Sequence, residues 1–108
     1  MKAENHKSIT KKIVNTIVES VYPEKVILFG SRAKGNYRKD SDYDFIIIKS
    51  GVKNEREVSR RIYRALFDNN IRIAVDIIVV DSDKLEKNKD NPYLIYSWAL
   101  KEGEIVYG

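Results

Sequence analysis

Residues Phe29–Lys49 read FGSRAKGNYRKDSDYDFIIIK, and the reading of the whole chain turns on them. A short apolar run stops at Gly30 and a polar, basic stretch follows. A second apolar run then opens on two aspartates, Asp42 and Asp44, one residue apart. Side chains alternate along a strand, so Asp42, Asp44, Ile46 and Ile48 share one face, while Tyr43, Phe45 and Ile47 take the other. The two acidic positions then stand about 6.5–7 Å apart at Cα. Two bare charges roughly 5 Å apart, at an effective dielectric of about 20, repel by about 3 kcal/mol. That is a large share of a small domain's stability, so something positive is expected between them. Arginine or lysine would serve, and a divalent cation serves better because it accepts several oxygen ligands at once.

Working outward, KVILF (Lys25–Phe29) reads as a buried strand, and Asp42–Lys49 as a second ending at the Ser50–Gly51 turn. RIAVDIIVV (Arg72–Val80) reads as a third, with Asp76 set among its apolar residues. Those neighbours predict a central strand, where an aspartate is costly unless paired or metal-bound. If the two aspartate-bearing strands lie side by side in register, three carboxylates meet. The structural alternatives are Asp42 as a strand cap, Asp44 paired with Arg32 or Arg38, and Asp76 facing solvent at a sheet end.

The intervening loop supplies complementary chemistry. Gly30 allows a backbone to come close to a ligand. Ser31 begins a short helical turn whose N–H groups and hydroxyl suit phosphate oxygens. Arg32, Lys34, Arg38 and Lys39 add positive charge. Phosphate donors beside magnesium ligands describe a nucleoside-triphosphate site. It is not a Walker A loop, because Asn36 and Tyr37 stand where that motif needs Lys and Ser/Thr.

Ile9, Ile13, Ile17 and Val21 recur every fourth residue and predict an amphipathic helix closed by Pro23. Val58, Ile62, Ala65 and Leu66 predict another, ending at Asn69–Asn70. The run from Asp81 reads as a solvated connection or a short helix. Pro92 opens a last helix reaching Lys101, with Tyr93, Trp98 and Leu100 as core residues, and EIVYG reads as a terminal edge strand. The expectation is a single α/β (α+β) domain over 1–108, a small β-sheet covered by helices.

Composition narrows the function further. The absence of cysteine removes thiolate chemistry, and His6 alone makes a histidine relay or a His-rich metal site untenable. A net charge of +4 favours anionic partners but falls short of a nucleic-acid track. No leader-like or membrane-spanning run is present in the sequence, so the cytoplasm is the default location.

FGSRAKG, the ten residues between Ser31 and Asp42, SDYDF and the later Asp76 together resemble the minimal nucleotidyltransferases of the DNA polymerase beta superfamily. Their signature is G-S, ten residues, D-x-D. The likeness runs through nearly the whole chain to ALKEGEIVYG, with Lys34 where arginine is common and Phe45 where leucine is common. The resemblance implies a nucleotidyltransferase fold with a small mixed sheet. It implies two Mg2+ ions on Asp42, Asp44 and Asp76, and the phosphates of ATP or another nucleoside triphosphate on Gly30 and Ser31 with help from Arg32. Many members of this size are antitoxins paired with a HEPN-domain protein, and some transfer AMP to a tyrosine of that partner. A homo- or hetero-oligomer is expected, and a non-catalytic antitoxin that neutralises its partner by docking is the alternative. A drug- or RNA-modifying transferase ranks third, because such enzymes usually carry further domains.

Overall fold

The strand that follows the two aspartates, β2 (Tyr43–Lys49), pairs on one side with β1 (Lys25–Phe29), antiparallel, and on the other with β3 (Val75–Asp81), parallel. A fourth strand, β4 (Glu104–Tyr107), joins the far side of β1 antiparallel, giving a mixed sheet in the order β3-β2-β1-β4. Among the described residues the helices are α1 (His6–Val21), α2 (Ser31–Lys34), α3 (Glu55–Asp68) and α4 (Ser82–Asn88). The computed structural model describes residues 6–38, 41–88 and 102–108. The helix expected over Pro92–Lys101, with Tyr93, Trp98 and Leu100, lies outside the described residues.

Alternation along the strands sorts the apolar residues onto two faces. Val26 and Leu28, Tyr43, Phe45 and Ile47, and Val75, Ile77 and Val79 meet the buried stripes of α1 (Ile13, Ile17, Val21) and α3 (Ile62, Leu66). The opposite face gathers Ile27, Phe29, Ile46, Ile48 and Val80, with Leu85 of α4 packed against them. This second face also carries Asp44 and Asp76 at one end of the sheet. The helices and strands thus form the helix-covered sheet that the apolar pattern implies, an α+β arrangement.

Two expectations need correction. Among the described residues β3 is an edge strand rather than a central one. Its apolar character reports cover on its two faces, and a run of buried side chains carries no information about a lateral neighbour. Both aspartate-bearing strands also start later than the apolar runs suggest, at Tyr43 and at Val75, leaving Asp42 just ahead of β2. The margin of β3 is not left bare: the Tyr63 hydroxyl on α3 accepts the Ile77 N–H at 2.9 Å.

Local chemistry explains the helix ends. Asn54 caps α3, its side-chain oxygen accepting the Glu57 N–H at 3.1 Å. At the other end Asn70 takes a left-handed conformation, with Ile71 N–H donating to Leu66 O and Asn70 N–H to Phe67 O, both at 3.0 Å. That is the doubled closure of a Schellman motif, with Ile71 packed on the same core as Leu66. Asp81 begins α4 and ties it to the turn after β2, accepting from Lys84 N–H at 3.4 Å and Val52 N–H at 3.0 Å. These bonds favour the ionised carboxylate and hold the Asp81 pKa below its usual value.

Tyr22, which follows α1, also has a positive φ of 50° while its side chain is 77% exposed. It carries the left-handed steric cost without a packing return. Tyr22→Gly is expected to raise stability by about 0.5–1 kcal/mol, read from the midpoint of denaturant unfolding at unchanged slope.

Candidate active site

Strand register places the site. Phe29 of β1 lies opposite Asp44 of β2, and Asp44 lies opposite Asp76 of β3. A single transverse row therefore joins the end of β1, just before Gly30, to both strand aspartates. Neighbouring strands are spaced by about 4.8 Å, so the two carboxylates, on the same face, are immediate neighbours. Asp42, exposed at the mouth of β2, adds its charge from further out. Burial, the Asp76 charge, a hydrogen bond with Asp76 and finally the Asp42 charge all raise the Asp44 pKa above its ordinary value of 3.8. Among the described residues no cation stands among these influences, and Arg32 is instead engaged with the Ser41 carbonyl and two tyrosine rings.

The donor set consists of hard oxygens from short side chains, which suits Mg2+ rather than a softer metal. Asp44 and Asp76 fit such an ion as a pair. Among the described residues no group of three or more His, Cys, Asp or Glu side chains is gathered tightly enough to form a ready cage. The pair with Asp42 flanking it is therefore the geometry from which the chemistry must be argued.

Gly30 is bound into the same arrangement. Its φ of 75° and ψ of −158° belong to a region that essentially only glycine occupies. A Cβ built there would lie 2.6 Å from the Asp44 carboxylate Oδ2. The glycine is needed for its backbone conformation and because Asp44 fills the space a side chain would take. The one-turn helix α2 follows, closed by Lys34 N–H to Gly30 O at 3.2 Å and Gly35 N–H to Ser31 O at 3.0 Å. Ser31 is partly buried at the start of that turn, beside Gly30.

Arg32 sits differently from the other residues singled out from the sequence. It is buried, 7% exposed, with its guanidinium between the rings of Tyr37 and Tyr43 at 4.5 and 4.4 Å from their centroids. Its Nε and Nη2 donate to the Ser41 carbonyl at 3.3 and 3.0 Å. Ser41 and the two tyrosines were not marked out by sequence reasoning. The available signal was the serine immediately ahead of Asp42, which reads as mere spacing until its carbonyl is seen to have a partner.

Two outcomes follow. In buffer without added divalent metal at neutral pH, Asp44→Asn should melt above wild type, because the folded chain holds the Asp44 proton more tightly than the unfolded chain does. The ionised form therefore weakens the fold as pH rises above 3.8, and the advantage of Asn should vanish below that value in a thermal-melt series. Gly30→Ala should cost about 1–3 kcal/mol from backbone strain alone, and more with the Asp44 overlap. In an Asp44→Ala background the same change should cost only the strain part, measured as a double-mutant cycle.

Comparison with known proteins bears on the family and the fold. No curated protein matches the chain. Among solved structures, a candidate nucleotidyltransferase from Sulfolobus solfataricus superposes with a TM-score of 0.61 at 25% identity, over 96% of this chain and 87% of that one. A toxin-antitoxin complex with AMP-PNP gives a TM-score of 0.59 at 16% identity, over 91% of this chain and 72% of its own, a likeness of fold. The family described as Polymerase beta, Nucleotidyltransferase matches residues 11–108. With the G-S turn beside the paired aspartates and a match across nearly its full length, the chain belongs to the polymerase beta nucleotidyltransferase family.

Proposed function

We propose that the chain transfers a nucleoside monophosphate, AMP from ATP, to a hydroxyl of a partner protein, and that the partner is a HEPN-domain protein in a cytoplasmic toxin–antitoxin pair. The observation that carries the enzymatic part is the transverse row in which Asp44 and Asp76 oppose one another with Gly30 against Asp44. Family membership supports the transferase class. The fold likeness to a toxin-antitoxin complex holding AMP-PNP supports the choice of nucleotide and the partner context.

In this reading Asp42 and Asp44 hold two Mg2+ ions, with Asp76 shared by the ion nearer the acceptor. When bound, such ions stabilise the entering and leaving oxygens of an in-line displacement at the α-phosphorus, with pyrophosphate as leaving group. Gly30 and Ser31 hold the β- and γ-phosphates through backbone N–H groups and the Ser31 hydroxyl. Asp76, exposed on the edge strand, orients the acceptor hydroxyl and draws off its proton as the new ester bond forms. Its position at the sheet margin suits a large acceptor, because no further strand blocks the approach among the described residues. With Asp76 in that role no histidine base is required.

Incubating the chain and its candidate partner with labelled ATP and Mg2+ should put label on the partner. Asp42→Asn and Asp76→Asn should each remove several kcal/mol of transition-state stabilisation, a loss of at least about a hundredfold in transfer rate. Asn variants that transfer as well as wild type would overturn the assignment. Neutralisation of the partner by co-purification alone, with no dependence on ATP, would identify a binding antitoxin instead.

A further inference from the structure

Resting on the enzymatic reading above, we infer that Arg32 is a positioning residue: it fixes the loop that delivers Asp42, and does so from behind the site rather than by touching the nucleotide. Side-chain direction is the first argument. Tyr43 and Asp44 are adjacent on β2 and point to opposite faces of the sheet. The Arg32 guanidinium lies against the Tyr43 ring, on the face packed by α1 and α3, while Asp44 and Asp76 occupy the other. Arg32 is thus separated from the carboxylates by the strand itself.

The second argument is what Arg32 holds. Ser41 directly precedes Asp42, and each of its polar groups is engaged. Its carbonyl receives the two guanidinium N–H groups. Its N–H donates to Arg38 O at 3.0 Å, and its hydroxyl oxygen accepts the Arg38 N–H at 2.8 Å. The reciprocal Arg38–Ser41 bonds close the loop into a turn, and Arg32 pins that turn to α2. Asp42 lies ahead of the β2 ladder, so the sheet does not set its direction; the residue before it must. A residue ordered in this way supplies a carboxylate without the conformational cost of a free loop.

The third argument is chemical type. A planar guanidinium can stack between two rings while directing two parallel donors at one oxygen; an ammonium can do neither. This separates Arg32 from Lys34 and Lys39, whose point charges would serve a phosphate equally well. The arginine required here is required for shape.

The test compares wild type, Arg32→Lys, Arg32→Met and Tyr37→Leu in the full chain. Amide hydrogen exchange is read first, without metal or nucleotide. Exchange at Asp42 and Tyr43 should quicken by about tenfold or more in both Arg32 variants, with Ile27 in β1 unchanged. Mn2+ affinity, followed by its electron spin resonance, should fall by about tenfold, the range expected when a residue supporting a ligand is lost. In transfer assays kcat should drop and the Mg2+ requirement rise, while KM for ATP stays at the wild-type value. Tyr37→Leu removes one ring from a partly buried position and keeps Arg32, so it should show the same pattern in smaller measure even if Arg32→Met does not fold. A raised KM for ATP with exchange at Asp42 unaltered would overturn the inference and put Arg32 on the phosphates. Lysine restoring wild-type exchange would overturn it too. If wild type neither binds Mn2+ nor transfers label, the enzymatic reading fails, and the exchange measurements still decide whether Arg32 orders the loop.

Discussion

The pairing of Asp44 with Asp76 across a parallel strand boundary is the constraint from which the other features follow. Strand side chains have a period of two, so a slip of one residue between β2 and β3 would send one carboxylate into the core beneath α1 and α3. The apolar alternation prevents that slip. Tyr43, Phe45 and Ile47 on one strand, and Val75, Ile77 and Val79 on the other, are all committed to the helix-packed face. Hydrophobic burial on the opposite face of the sheet thus sets the spacing of the acidic pair.

The arrangement is in tension with itself. Asp44 sits against Gly30, half-buried and beside two other carboxylates, and every influence on its ionisation points the same way. The surrounding structure imposes this proximity through strand register and through a glycine conformation that other residues resist. Local cost of this kind is the usual reason that residues kept for function are suboptimal for stability.

How much of this could be read from the sequence depended on the kind of information each feature carries. The faces of β2 followed from alternation alone, and Ile13, Ile17, Ile62 and Leu66 followed from helical period, since both patterns are local. The convergence of Asp44 and Asp76 could be posed only as a condition, because register between strands separated by α3 is decided by packing. The lateral place of β3 was misread for a related reason: Val75, Ile77 and Val79 are buried by α3 and β2, and a one-dimensional pattern cannot distinguish face cover from an extra strand. Arg32 was marked by its charge in the loop after Gly30 and by the family resemblance. Its burial between Tyr37 and Tyr43 depends on where the chain returns nine residues later, which no local signal records.

The hydroxyl of Tyr63 on the Ile77 amide has a consequence for crowded conditions. A strand at a sheet boundary offers its spare backbone donors and acceptors to any extended peptide that drifts alongside, which is how unrelated chains zip together into aggregates. By occupying one such donor next to Asp76, a phenol that remains 43% exposed turns the outermost strand into a poor template. The acidic margin can stay accessible to a macromolecular visitor without recruiting that visitor, or a sister chain, as a fifth strand.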